Sequence, residues 1–353
     1  MTTASAISEK LLHAAVTAKA SDIHFYPLPD QANIYFRIFG KRIFHQTIPI
    51  SQYHILLTYF KFTSGMDIGE IRKPQNGTIF HETPEGHYAL RLSTLPVNHM
   101  ESLAIRILPQ DSNLPLEQLF LFPNQLRKLK KWITNRSGII LFTGPTGSGK
   151  TTTLYTLLQT ILAEKSYQTI TLEDPIEKDI SNILQVQVNE KAGITYQTGL
   201  KAALRHDPDI IMVGEIRDNF TAQFAFDASL TGHLVLSTLH AKNAAGTIHR
   251  LLEMGLQRTD LKQSLIAIAA LQLIPIQISG EITRRAALME LLDGELLEMI
   301  LNGTDLKTNE QFHSFEHLRK KAFAYGFISE EIYFTAEGKT AQQGNSTAIS
   351  KKT

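Results

Sequence analysis

The chain has 353 residues, 43% of them hydrophobic and 20% charged, which suits a soluble globular protein long enough for two domains. A formal net charge of +1 gives no global electrostatic case for nucleic acid or an acidic membrane surface, and the absence of cysteine excludes disulfides and a thiolate zinc site and suits a reducing compartment. The first residues, Met1-Thr-Thr-Ala-Ser-Ala-Ile7, lack the basic and apolar regions of a signal peptide, so export is not expected.

From about Ser8 to Ala18, Leu11, Leu12, Ala15 and Val16 fall on one helical face. Asn33 to Phe39 alternates apolar and polar before Gly40-Lys41, which predicts a strand entering a hairpin turn. A helix is expected over Gln52 to Phe62, and strands at Thr78 to Phe80, Tyr88 to Leu92 and Leu103 to Leu108, giving a small α+β domain over residues 1–110. Prolines then punctuate residues 111–123, which have no long period and read as a linker. From Asn124 the pattern changes to alternating helix and buried strand. A helix over Leu126 to Thr134 precedes strands at Gly138 to Phe142, Thr169 to Leu172, Ile210 to Val213 and Leu234 to Ser237. This βαβ alternation implies an α/β domain over residues 124–335 with a mainly parallel sheet covered on both faces. The longest uncharged run, Gln263 to Gly280, contains three glutamines and Pro275 and reads as a buried helix and a following strand, not as a membrane span. A helix-rich end is expected as far as Phe334, and the polar residues 336–353 read as a disordered tail.

Within this frame, Gly144-Pro-Thr-Gly-Ser-Gly-Lys-Thr151 fits G-x-x-x-x-G-K-[ST], the phosphate-binding loop. Gly144, Gly147 and Gly149 permit backbone conformations that let successive N–H groups converge on a phosphate, Lys150 adds positive charge at the β/γ position, and Thr151 offers a hydroxyl to Mg²⁺. Pro145, Thr146, Ser148 and Thr152 complete the binding stretch. The flanks agree, because an apolar strand precedes the loop and Leu154, Leu157, Leu158 and Ile161 recur at helical spacing after it, so a helix N-terminus faces the phosphate.

In an open α/β sheet, chemistry lies beyond the carboxyl ends of the strands. There stand Glu173-Asp-Pro-Ile-Glu177 and Gly214-Glu-Ile-Arg-Asp218. ATP hydrolysis needs one group to orient the attacking water and another to hold Mg²⁺ through its water shell, and Glu215 and Glu173 are the candidates, in that order. An acidic residue after a strand is also an ordinary turn former or helix cap, but two such sites below a phosphate loop weaken that reading. His240 follows the strand at Leu234, with His233 before it. Neither has a third ligand nearby, so a metal site is not expected. Charge developing on the γ-phosphoryl group calls for an arginine, in cis or from another subunit. Arg91 and Arg106, in the last two strands of the first domain, are the candidates; Arg205 and Arg217 compete from the second. The basic run Arg127, Lys128, Lys130 and Lys131 reads as a solvated helix face before it reads as a docking patch.

Together these stretches resemble the four ATPase boxes of the type II secretion and type IV pilus ATPases: Gly144 to Tyr155, Leu172 to Glu177, Leu204-Arg-His-Asp-Pro-Asp209 through Asp218, and Thr231-Gly-His233 through Thr238-Leu-His240. The likeness extends to Ala20-Ser-Asp-Ile-His24, Arg72-Lys-Pro-Gln-Asn-Gly77 and Arg91-Leu-Ser-Thr-Leu-Pro96. Met66 to Glu70 and Leu184 to Gly193 resemble in particular the branch that drives competence pseudopili of DNA uptake in Gram-positive bacteria. The resemblance implies a RecA-like P-loop domain after a PAS-like one, ATP and Mg²⁺ as cofactors, and Glu215 touching Mg²⁺ directly or through water. It also implies a homo-hexamer on the cytoplasmic face of the cell membrane, partnered by an inner-membrane platform protein and, indirectly, by pilins, with no direct nucleic-acid contact. A pilus retraction ATPase of the same family is the alternative, although no Ala-Ile-Arg-Asn-Leu-type motif stands near the C-terminus. A RecA-like nucleic-acid motor is a more distant one, because basic and aromatic residues are not interleaved. Two departures stand out in the site and near it. Gly214 occupies a position where other phosphate-loop enzymes carry Asp, and Asn98-His-Met-Glu-Ser102 replaces a Gly-Glu pair upstream of Arg106.

Overall fold

A computed structural model describes residues 3–98, 100–111, 115–278, 281–306 and 309–336. The chain forms two compact units, Met1–Asn113 and Leu114–Thr353, each built on its own sheet.

The first unit runs α1 (Thr3–Thr17), β1 (Ala20–Pro27), β2 (Gln31–Ile38), β3 (Lys41–Pro49), α2 (Ile50–Thr63), β4 (Gln75–Thr83), β5 (Gly86–Val97) and β6 (Met100–Pro109). Its six strands lie in the order β3-β2-β1-β6-β5-β4, and every adjacent pair is antiparallel. Alternation decides which side is covered. Ile23, Phe25, Ile34, Phe36, Leu90, Leu92, Leu103 and Ile105 form one core with Leu11, Leu12 and Ala15 of α1 and Tyr53, Leu56 and Phe60 of α2. Within it Lys61 Nζ meets Glu101 Oε2 at 2.8 Å, the two side chains being 2% and 3% exposed. The ammonium also donates to the Glu70 carbonyl at 2.7 Å, so this buried pair pins α2, β6 and the loop before β4. Strand β1 carries little sequence signal, since Ser21, Asp22 and His24 break its apolar run; only Ile23 and Phe25 carry the alternation.

The second unit runs α3 (Leu116–Leu119), α4 (Pro123–Trp132), β7 (Gly138–Thr143), α5 (Lys150–Glu164), β8 (Thr169–Glu173), β9 (Leu184–Gln187), α6 (Tyr196–Ala203), β10 (Ile210–Ile216), α7 (Asn219–Leu230), β11 (Leu234–Leu239), α8 (Ala244–Glu253), α9 (Arg258–Ser264), β12 (Leu265–Ile278), β13 (Glu281–Asp293), α10 (Gly294–Leu301), α11 (Phe315–Ala324) and α12 (Glu330–Ala336). The sheet order is β13-β12-β7-β11-β10-β8-β9, parallel throughout except for the β12–β13 pair. Side chains on its two faces enter separate cores. Ile139, Leu141, Val213 and Val235 pack with Leu200, Phe226, Ile248 and Leu261. Ile140, Phe142, Met212 and Leu236 pack with Leu129, Trp132, Leu154 and Leu157. Burial on both faces makes these strands continuously apolar, which is why they are legible in the sequence.

Two expectations need correction. Residues 111–123 are not a linker as far as Pro123: α3 is helical, Leu116, Phe120, Leu121 and Phe122 are buried, and Phe120 bridges to Ala287. Pro115 precedes α3 and Pro123 opens α4, positions where a missing N–H costs nothing, so the prolines start helices here. The run Gln263 to Gly280 holds no long buried helix. After the end of α9 it is one strand, β12, followed by β13 where more helix was expected. An apolar run buried on two sides does not reveal its period. Pro275 is accommodated because β12 pairs with β7 only as far as Ala270 and beyond that with β13 alone. The tail expected over 336–353 lies, from residue 337 onward, outside the described residues.

Candidate functional site

The loop between β7 and α5 has the backbone that its glycines forecast. Gly144 has φ +146°, and a Cβ there would stand 2.5 Å from Ser148 Oγ and 2.6 Å from the Leu271 carbonyl. Gly147 is needed for its backbone alone: its φ is +77°, yet a Cβ would meet nothing within 4 Å, and Pro145, Thr146 and Gly147 form the exposed crest of the loop. Gly149, at φ +91°, is the N-cap of α5. Lys150, 8% exposed, folds its ammonium back onto the loop, donating to the carbonyls of Gly144 at 2.9 Å and Pro145 at 3.1 Å. Burial holds its pKa below the ordinary lysine value, opposed by the charges of Glu215 and Glu177. Ser148 Oγ is buried and finds no hydrogen-bond partner among the described residues. A cradle that excludes Cβ, a buried ammonium held by loop carbonyls and an orphan hydroxyl together suit an anion with many acceptor oxygens. Thr151 and Thr152 follow on the first turn of α5, partly buried and exposed respectively.

Glu215 lies at the carboxyl end of β10, one strand from β11. Its Oε1 is 2.6 Å from His240 Nε2, and its Oε2 accepts from Arg217 Nε at 2.5 Å. Arg217 in turn reaches Asp174 Oδ2 at 3.0 Å, so one arginine joins the two acidic stretches. Its guanidinium is held above its ordinary pKa, first by the bond to Glu215. Two hydroxyls of β11 shape the strand end: Ser237 donates to the Val213 carbonyl and Thr238 to the Gly214 carbonyl, each at 2.7 Å, where the β10–β11 register shifts. At Gly214, the departure from Asp, a Cβ would stand 3.1 Å from the Leu172 carbonyl, tighter than an ordinary contact, and 3.4 Å from Glu173 Cα.

Glu173 is placed differently. It is 2% exposed at the end of β8 and accepts from the hydroxyls of Tyr155 and Thr171, the latter at 2.6 Å, and from Gln185 Nε2 at 3.2 Å. Burial, with the neighbouring Glu173 charge, pushes the Tyr155 phenol well up. The carboxylate that Lys150 senses beside Glu215 is Glu177, not Glu173. Glu177 stands in the same acidic stretch, and chain order alone gives no reason to prefer it.

Of the two histidines, His240 joins the site. His233 precedes β11, at the other end of the strand, where its Nδ1 lies 3.1 Å from the Thr231 hydroxyl and 3.2 Å from the Ala228 carbonyl. Arg205 is exposed beyond α6. In the basic run of α4, whose four cations are all exposed, Lys128 pairs with Asp293 at 2.8 Å and Lys130 with Glu117 at 3.1 Å, in keeping with a solvated helix face. In the first unit Arg91 and Arg106 stand directly opposite each other on β5 and β6. Arg106 Nε is 3.0 Å from Asp22 Oδ1 on β1, and its side chain is 55% exposed. The same carboxylate faces Arg37 on β2, whose Nε lies 3.7 Å from Asp22 Oδ2, so Asp22 is shared between two guanidinium groups.

Fold and site define an α/β protein with a glycine-built loop suited to an anion and an acidic strand end buttressed by a histidine and an arginine. The family profile described as "Type II/IV secretion system protein" matches residues 2–304, and the chain belongs to that family. Among its relatives is "Competence protein ComGA" of Bacillus subtilis (strain 168), 42% identical over 341 residues, covering 93% of this chain and 96% of the relative. A crystal structure of "the Pilus Retraction Motor PilT and Bound ADP" superimposes with TM-score 0.70 at 27% identity over 93% of this chain and 96% of that one. The "Legionella pneumophila ATPase DotB" shares the fold with TM-score 0.76 at 23% identity, over 94% of this chain and 95% of that one.

Proposed function

We propose that this chain is an ATP-hydrolysing motor that powers assembly of a type IV-like competence pseudopilus for DNA uptake. The observation that carries the reading is the pairing of a buried Lys150 in a glycine cradle with Glu215, itself clamped by His240 and Arg217. Near full-length likeness to a competence protein supports the cellular role, and likeness to a motor with bound ADP supports the nucleotide. On this reading the second unit is a RecA-like domain and the first a PAS-like one.

The residues divide the work by chemistry. Gly144 to Gly149 present N–H groups to the phosphates, and Lys150 leaves its loop carbonyls to neutralise the β/γ charge. Mg²⁺, when bound, screens the phosphates and polarises them for attack, and Thr151 with Glu215, directly or through water, are the residues that would hold it. Glu215 orients the attacking water, and His240 fixes its carboxylate. Glu173 supports the strand end from within. Arg91 and Arg106 serve nucleotide held by another subunit, so activity belongs to a homo-hexameric ring. That ring works on the cytoplasmic face of the membrane with a platform protein and, through it, pilins. None of the described helices is long and apolar enough to cross a membrane.

Steady-state phosphate release by the assembled chain, with and without Lys150→Ala, tests the chemistry, and DNA uptake by cells lacking this chain tests the role. Turnover without any effect on uptake favours retraction or secretion within the same family.

A further inference from the structure

Glu290 lies in β13, a strand outside every motif named above, and it is 4% exposed. Its Oε2 accepts the N–H of Ala244, the first residue of α8, at 3.1 Å, and its Oε1 accepts that of Phe315, the first residue of α11, at 2.7 Å. Two helix N-termini thus end on one carboxylate, which satisfies an orphan amide of each and meets the positive ends of both dipoles.

The tie to α8 bears on the site. His240 hangs on the link His240-Ala-Lys-Asn243 between the last residue of β11 and Ala244. The sheet fixes the upstream end, where Leu239 pairs with Ile216 on one side and Thr143 on the other. Glu290 fixes the downstream end, together with the Asn243 side chain, which accepts from the Gly246 N–H at 2.7 Å.

The tie to α11 reaches the phosphate loop from behind. One turn into that helix, Arg319 donates to Gln272 Oε1 in β12 at 2.9 Å. The neighbours of Gln272 line the loop: the Leu271 carbonyl stands 2.6 Å from where a Gly144 Cβ would be, and the Leu273 side chain 3.6 Å from one at Gly149. One helix therefore rests its first residue on the carboxylate that holds the His240 link and its middle on the strand that backs the phosphate loop. That helix also lies beyond the residues 2–304 matched by the family profile.

We propose that Glu290 is a positioning residue of the nucleotide site: through the N-terminus of α8 it sets His240, and with it Glu215, relative to the phosphate loop, and through α11 it makes the segment Phe315–Ala324 part of the catalytic unit. The proposal rests on the reading of the chain as an ATPase.

The test is a double-mutant cycle in the assembled, full-length chain. Glu290→Gln keeps the shape but turns one acceptor into a donor, so one of the two helix ends is released. A displacement of order 1 Å at His240 predicts a fall in kcat of about tenfold or more, with nucleotide Kd, read from a fluorescent ATP analogue, within about twofold of the parent. In a His240→Ala background the part of the loss that runs through α8 vanishes, so the double variant should lose clearly less than the product of the two single losses, leaving only what runs through α11. Losses that multiply in the double variant, or an unchanged kcat in a Glu290→Gln chain with the parent's thermal midpoint, overturn the proposal. If Glu290→Gln unfolds at the assay temperature, Glu290→Asp, which keeps the charge but shortens the reach, carries the same cycle and is read in the same way. A parent chain that neither binds nor hydrolyses ATP overturns the functional reading itself, and this inference with it; a parent that turns over while the cycle is additive overturns the inference alone.

Discussion

Exchanging each of the two strand-end carboxylates for its amide separates chemistry from architecture. Glu215 is held from outside by His240 at 2.6 Å and Arg217 at 2.5 Å. Glu215→Gln replaces one charged oxygen with an NH₂ that faces a donor, and it removes the water-orienting base. That loss corresponds to roughly 10²–10⁴ in turnover, about 2.7–5.5 kcal/mol of barrier, with little change in stability or in nucleotide affinity. Glu173 instead has three donors around a carboxylate that is 2% exposed. An amide oxygen at the Oε1 position keeps Thr171 and Gln185, and the amide NH₂ then donates to Tyr155, whose hydroxyl already accepts from the Glu177 N–H at 3.1 Å. One charge-assisted bond is lost and two are weakened, a cost of about 2 kcal/mol. For a unit of this size that lowers the thermal midpoint by roughly 4–8 °C, while turnover falls less than tenfold. Phosphate release at saturating ATP and thermal denaturation, run side by side on both variants, read the two effects. If Glu173→Gln loses more turnover than Glu215→Gln and keeps its thermal midpoint, the two assignments are reversed.

Lys150→Ala should abolish nucleotide binding or turnover while leaving the thermal transition in place, since its ammonium is bonded to loop carbonyls and ties no other element down; unchanged turnover refutes the site. The same lysine gives a pH dependence. Burial lowers its pKa from the ordinary 10.5 and a bound phosphate raises it, so binding takes up a proton above the lowered value and affinity falls as pH rises toward 10.5. Fluorescent-nucleotide titrations from about pH 7 to about pH 10 check this, and a flat profile contradicts it. Mixing Arg91→Ala/Arg106→Ala chains with Lys150→Ala chains, each inactive alone, should restore activity wherever an intact arginine pair meets an intact loop, because an arginine in trans contributes about 10³ or more. No recovery in rings that light scattering shows to have exchanged subunits places those arginines in cis or in structure. In the first unit, Glu101→Ala strands a buried ammonium and should destabilise by about 3–5 kcal/mol, whereas Lys61→Met with Glu101→Leu should come near the parent in chemical denaturation.

Local rules are enough wherever chain neighbours do the work. The phosphate loop is legible because its glycines, lysine and threonine act from one turn of backbone, and the parallel strands because burial on both faces leaves an unbroken apolar run. Chain-order patterning also finds α1, α2, α4, the turn after β2 and strands β4, β5 and β6. Distance in sequence hides the rest. Which carboxylate faces Lys150 depends on how β8 and β10 lie side by side, and that contact puts Glu173 inside, Glu215 at the rim and Glu177 within Lys150's field. His233 and His240 look alike until β11 places them at opposite ends of one strand. The run at Gln263 is ambiguous because its period is erased when both faces of β12 are buried, Ile268 and Ala270 in one core and Ala267, Ala269 and Leu271 in the other. Glu290 and Arg319 have no signal at all, since each acts on backbone or side chains 25 to 47 residues away. The sequence by itself determined the local backbone of the Gly144–Thr151 loop and most of the helix and strand positions, because both are written in residues that touch along the chain. The tertiary structure alone decided which charges meet, because electrostatic partnership depends on separation in space, which sequence order does not encode.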